Sequence, residues 1–300
     1  MLQASWKIVK PLVGFSVRTV MAALLILPAL LAGEAAHSPH SAPRSAVAVP
    51  RPLASLASSP VLALERVPSD DLVPRAYLPL VARQPSGCTP IPGVQYSTLT
   101  IVGNPTDRPA EVHADLNLAL RGYELTYAYR GLVEYGGTPD DDPPKLYTLF
   151  ADHRVPTFPA VYRVYDWDWD CNCRGELLSD WPVTLAGMGV ATGEILYLPD
   201  REAEIGGGYQ ALVLYASEER ITLKYTREDN VVYGYTLHIE NVCVEPRLLA
   251  LYRNMNSAGR AELPALKAGQ PFGRARGAEI GVAIRDTGSF MDPRSQKDWW

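Results

Sequence analysis

The sequence predicts a mainly β protein, antiparallel in its strands, with one short helix and extra strands on its N-terminal side. Three observations predict it. From Cys88 onward, short runs alternate apolar and polar residues and are rich in β-branched and aromatic side chains. Proline (26) and glycine (23) supply the many turns that such runs need. Tyrosine outnumbers phenylalanine 16 to 5, which suits half-exposed strands and binding surfaces where one end of the ring is wet. The net charge of −5 offers no basic face, so nucleic acid is not an expected partner.

Residues 1–35 have the three parts of a secretory signal. Lys7, Lys10 and Arg18 are positive, Val20 to Ala32 is apolar, and Gly33-Glu34-Ala35-Ala36 supplies small residues around a cleavage position after Ala35. The apolar run is shorter than the ~20 residues of a membrane-spanning helix and contains Pro28. An uncleaved anchor over Pro11 to Ala32 is the rival reading, and only in that case does this chain meet a membrane. Residues 36–87 have the Ala/Ser/Pro-rich composition of a linker, with Tyr77-Leu78-Pro79-Leu80-Val81 as a short strand or sticky tether.

Residues 88–175 form a β-rich N-terminal region with strand-like runs at Tyr96 to Val102, Tyr123 to Tyr129 and Ala160 to Tyr165. A short helix is expected over Ala114 to Leu120. Residues 176–300 continue with strands at Ala211 to Tyr215, Ile221 to Tyr225 and Tyr233 to Ile239. Glu204 to Gly208 and Glu228-Asp229-Asn230 are turns between them. The clear helix spans 246–258: Pro246 sits in its first turn, Leu248, Leu251, Tyr252 and Met255 recur at helical spacing, and Gly259 ends it. Whether 88–175 folds separately or adds strands to 176–300 stays open at this level.

Four cysteines fit an oxidising compartment. Cys171 and Cys173 stand one residue apart, a spacing that argues against bridging each other, so each is expected to reach a distant partner, Cys88 or Cys243.

In order along 180–293 come Pro182-Val183-Thr184-Leu185-Ala186-Gly187, Gly207-Gly208-Tyr209-Gln210-Ala211, Tyr235-Thr236-Leu237-His238, Ala268-Gly269-Gln270-Pro271-Phe272-Gly273, Ile284-Arg285-Asp286 and Asp292-Pro293. This succession resembles the lysostaphin/LytM-type zinc endopeptidases. The resemblance implies their duplicated-hybrid-motif β-sandwich, and a groove around His238, Tyr235 and Glu279. It also implies a metal site that this chain has lost. The family's His-x-His falls on Glu279-Ile280-Gly281, and glycine has no side chain to bind metal. Its His-x-x-x-Asp falls near Cys173 to Leu177, where leucine replaces the carboxylate. Zinc needs three converging protein ligands with one position open. The expectation is therefore a domain with no catalytic residue, no metal and no cofactor, which binds a cell-wall peptide or an extracellular protein; the alternatives are an extracellular hydrolase or metallopeptidase with atypical ligands, and a structural cell-surface protein.

Other constellations carry weaker chemistry. Asp166, Asp168 and Asp170 alternate as in a calcium loop, but Cys171 replaces the turn glycine, and a strand with Trp and Cys on one face is preferred. His113 with Asp115, and Asp152 with His153, are isolated pairs for which hydrogen bonding is the simpler role. Asp140 to Asp142 is a solvated loop. Glu194 with Glu279 is a formal glycosidase pair that no spacing selects. Neither Gly-x-Ser-x-Gly nor a phosphate-binding loop is present. Amino-terminal sequencing of the chain recovered from culture medium checks the export reading: a start near residue 36 is expected, and a membrane-bound chain with its N-terminus intact supports the anchor.

Overall fold

The computed structural model describes residues 88–300. The signal segment, the linker and the Tyr77 to Val81 run lie outside the described residues. The described chain is mainly antiparallel β, arranged in two sheets.

Fourteen strands occur in chain order: β1 Ser97–Thr100, β2 Tyr123–Leu125, β3 Ala160–Asp168, β4 Cys173–Leu177, β5 Leu185–Gly189, β6 Ile195–Tyr197, β7 Ala211–Ala216, β8 Arg220–Lys224, β9 Tyr235–Glu240, β10 Val242–Val244, β11 Glu262–Leu266, β12 Pro271–Ala275, β13 Glu279–Asp286 and β14 Ser289–Met291. Helices are α1 Leu118–Arg121, α2 Pro246–Ser257 and α3 Gln296–Trp299. The large sheet has eleven strands and runs β1-β11-β7-β8-β9-β13-β5-β3-β2, with β14 on β13 and β4 on β3. The small sheet is β10-β12-β6. Strands from both sides of residue 175 share the large sheet: β1 pairs with β11, and β3 pairs with β5.

The central strands β7 and β9 are buried along their whole length, which only a sheet covered on both faces allows. One face carries Leu223, Leu237, Ile239 and Ile284 into the main core. There α2 lies against β11 and β7 through Leu248, Leu249 and Tyr252. Glu245 caps α2 by accepting the amides of Arg247 (2.7 Å) and Leu248 (3.1 Å), and Pro246 occupies the first turn, where its missing N–H costs nothing. The chain ends on a buried lock. Asp292 accepts from Arg294 Nε at 2.9 Å and from the Tyr135 hydroxyl at 2.8 Å, and the fully buried Trp299 donates to the Asp292 carbonyl at 2.9 Å.

Three local expectations are corrected. The helix over Ala114 to Leu120 shrinks to a 3-10 turn at Ala110–Val112 and the single turn α1, because Asn117 restarts the chain by capping the Ala119 amide. The strand through Asp166 to Cys173 stops at Asp168, whose carboxylate accepts the amides of Asp170 and Cys171 and turns the chain back into β4. The cysteines pair as Cys88–Cys243 and Cys171–Cys173. The turn explains the second bridge. Asn172 takes a left-handed φ of 52°, a conformation asparagine tolerates, and Cys171 and Cys173 come to a Cα separation of 5.3 Å. Two disulfides accord with an oxidising, extracytoplasmic compartment.

The two bridges restrain the unfolded chain very unequally. Cys88–Cys243 spans 155 residues and Cys171–Cys173 spans two. On chain-entropy grounds the first is worth about 5 kcal/mol and the second less than half of that. Denaturant unfolding of the C88S/C243S and C171S/C173S variants is expected to show a large loss for the first pair and a small one for the second.

Candidate functional site

The large sheet has a second, polar face. Residues facing each other on neighbouring strands share a side of a sheet, and successive residues alternate. The register pairs Arg220, Thr222 and Lys224 of β8 with Glu240, His238 and Thr236 of β9. On the other flank β13 sets Gly281, Ala283 and Arg285 against the same three β9 residues. Glu279 precedes them on that face, opposite Gly189 of β5.

This register separates the residues that the sequence grouped. Tyr235 points the other way, into the core. Its hydroxyl donates to the Asp141 carbonyl at 3.0 Å, and its ring meets Trp299 edge to face. His238 and Glu279 do share the polar face, but the strand position opposite Gly281 belongs to Glu240, while His238 lies opposite Ala283. The segment expected to carry the upstream metal motif, Cys173 to Leu177, is β4, which pairs with β3 only. The residue that reaches Glu279 from β3 is Tyr162.

One half of the polar face is sealed by the segment that ends in α1. Asp115 receives Arg121 at 2.7 Å and Arg285 at 2.8 Å, with both arginines buried. Burial pushes the Asp115 carboxyl up, but Arg285 and then Arg121 outweigh it and hold the group down at about 2. The Thr222 hydroxyl donates to the Leu116 carbonyl at 2.6 Å, which fastens the same segment to β8. Having given that proton away, Thr222 is left to accept from His238 Nδ1 at 3.1 Å. Nδ1 of His238 is thereby the ring nitrogen that carries a proton. Its Nε2 has no partner among the described residues, and Phe290 stacks on its ring. Burial, then Arg285, holds its pKa well below the ordinary histidine value. Beside it Lys224 is fully buried with no partner for Nζ among the described residues, and burial brings it down to about 8.

The other half of the face is an open cleft of about 520 Å³. Its floor is Gly281 and Leu185, and its charged lining is Glu219, Arg220, Glu240, Arg276 and Glu279. Tyr123 and Tyr162 meet edge to face at 5.3 Å and form one wall. Arg220 Nε donates to both oxygens of Glu240, at 3.2 and 3.0 Å. Burial raises the Glu240 carboxyl despite that arginine. Arg276 pairs with Glu219 at 2.5 Å. Glu279 Oε1 accepts the Tyr162 hydroxyl at 2.9 Å, and burial, reinforced by Glu279, pushes that phenol up to about 12. The carboxylate lies flat over Gly187, where a Cβ would stand 2.5 Å from Oε1.

The remaining sequence candidates resolve into structural roles. Asp166 pairs with Arg121 at 3.3 Å and Asp168 caps its turn, so the alternating aspartates do not converge. The Asp115 amide donates to His113 Nδ1 at 3.2 Å, while the Asp115 carboxylate goes to the arginines. Asp152 pairs with Arg154, and His153 sits at a turn with φ 54°. Asp142 binds Arg201 at 2.8 Å and accepts the amides of Glu202 and Ala203. Glu194 pairs with Arg154 and does not line the cleft that holds Glu279. Among the described residues, no three of His, Cys, Asp and Glu stand close enough together to hold a metal ion. No helix of the described residues is long and apolar enough to cross a membrane.

Sequence reasoning missed Glu240, Arg220, Glu219, Arg276, Tyr123 and Tyr162. For Glu240 a signal existed: it lies two residues after His238 and shares its face. Compared with protein-family models, curated proteins and solved structures, the chain finds no match. The cleft's own chemistry has to carry the functional reading.

Removing one partner from a buried ion cluster leaves uncompensated charge and costs about 3–5 kcal/mol. Asp115→Asn is expected to destabilise the fold by that order in denaturant unfolding, with both arginines left facing each other.

Proposed function

We propose that this is an exported, non-catalytic β-domain of peptidase-like ancestry that binds a peptide in the open cleft, either a cell-wall peptide or a segment of an extracellular protein. The observation that carries the reading is the cleft itself. It lies over Glu279 and Gly281, where the endopeptidase resemblance places the His-x-His pair whose second histidine, at Gly281, would bind metal. Glycine supplies no ligand, and Glu279 is engaged by a tyrosine hydroxyl rather than by a second metal-binding side chain. What the cleft retains is a lining of both charges, an aromatic wall and an open floor of sheet. That lining suits a peptide, which brings amines, carboxylates and amide dipoles together.

A second reading rests on Glu240. Burial raises its carboxyl, and Glu279 shares the same cleft, so two carboxyl groups in unlike surroundings stand in one site, as in hydrolases that use such pairs. The close hold of Arg220 on Glu240 weighs against it, because the acid is turned toward its own neighbour.

Purified full-length chain incubated with isolated cell walls separates the two. Co-sedimentation with the walls, no release of soluble peptide or sugar fragments, and zinc far below one equivalent are the expected results. Fragment release abolished by Glu240→Gln establishes the hydrolase, and one equivalent of bound zinc overturns the non-catalytic reading.

A further inference from the structure

The charges of the cleft do not cancel. Two of its three glutamates are matched: Glu240 by Arg220 at 3.0 Å and Glu219 by Arg276 at 2.5 Å. Glu279 has no arginine or lysine within ion-pair distance among the described residues. Its only side-chain partner there is the Tyr162 hydroxyl on Oε1, and no donor of the described residues reaches Oε2. Arg130, whose charge is felt at Tyr162, makes no ion pair with this carboxylate. A carboxylate in a half-enclosed site, with one oxygen held and the other open, is the complement of a cation.

The surroundings narrow the kind of cation. Tyr123 and Tyr162 stand beside Glu279 with their rings edge to face, and aromatic faces attract positive charge. Tyr162 keeps its proton at neutral pH, so the wall adds a hydrogen-bond donor to Glu279 and no competing anion. A guanidinium binds best through two parallel hydrogen bonds to both oxygens of a carboxylate. Here Oε1 is already taken by the phenol. A primary ammonium is a compact charge that needs only one open oxygen and an aromatic neighbour.

We infer that the Glu279–Tyr162–Tyr123 corner of the cleft is a seat for a primary ammonium group, of the lysine side-chain type, carried by the bound peptide. This rests on the peptide-binding reading above and names the group by which the peptide is held. Glu279 supplies the charge, Tyr162 fixes the carboxylate and the tyrosine rings shield the pair from water. The two matched ion pairs line the rest of the cleft, with Glu240 and Arg220 acting on Tyr123 as well.

The test uses full-length protein and three short blocked peptides that differ at one position: lysine, Nε-acetyl-lysine and norleucine. Binding is followed by NMR titration, with chemical-shift changes locating each peptide. The lysyl peptide is expected to bind in the cleft, with the other two at least tenfold weaker. Glu279→Gln is expected to remove that preference while the melting temperature stays within a degree or two of the parent. Tyr162→Phe, which frees the carboxylate to wander, is expected to weaken the lysyl peptide alone. Equal binding of all three peptides in the cleft overturns the ammonium seat and leaves the peptide reading standing. Absence of any shift at cleft residues with every peptide overturns both.

Discussion

The covered half of the polar face depends on one partly buried carboxylate. Asp115 sits between Arg121 and Arg285, which arrive from different elements, and it is the acid that both share. Two buried guanidiniums on one sheet face would repel each other and lose their hydration without an anion between them. With it, the chain that leads into α1 is fixed across β8, β9 and β13, and His238, Thr222 and Lys224 disappear beneath it. The same fixation sets where the cover stops. Past it, at the end of the strands that carries Arg220, Glu240, Gly281 and Glu279, the face opens into the cleft.

This division explains why the histidine and the cleft part company. A histidine on a strand that also carries a glutamate two residues later invites assignment to a site. Here the cover runs between them. His238 is buried and bound to Thr222, whereas Glu240 reaches the open half and takes Arg220. The alternation of the strand was legible, and so was the polar character of one side. What decides the role of each residue is the edge of the segment that covers it, and that edge depends on contacts between residues more than a hundred positions apart.

Much of the architecture could be read directly. β7, β8, β9 and α2 lie where alternation, turn residues and a proline-to-glycine helix pattern put them, because these are local effects. The shared sheet could not be read, since β1 pairs with β11 across a long sequence gap and β3 reaches β5 past the intervening β4. The disulfides failed for a different reason. An extended chain would hold Cys171 and Cys173 apart, whereas the Asp168 cap with a left-handed Asn172 makes a turn that brings them together. Half of the cleft was invisible for the same cause as the sheet. Arg220 and Glu240 come from one hairpin, but Tyr123, Tyr162 and Glu279 are assembled from three strands whose neighbourhood no spacing announces.

Gly187 gives the cleft an unusual vulnerability. Its part in the fold is an absence: the Glu279 carboxylate occupies the volume that any other residue's Cβ would fill, and the Ala160 carbonyl closes the space from the other side at 2.9 Å. Most binding sites degrade by losing a group. This one would degrade by gaining a methyl, which would displace the Glu279 carboxylate from its bond with Tyr162 although every charged residue is still present in the sequence. A descendant of this chain can therefore keep its whole polar lining and still have lost the site, and the composition of the cleft would not reveal it.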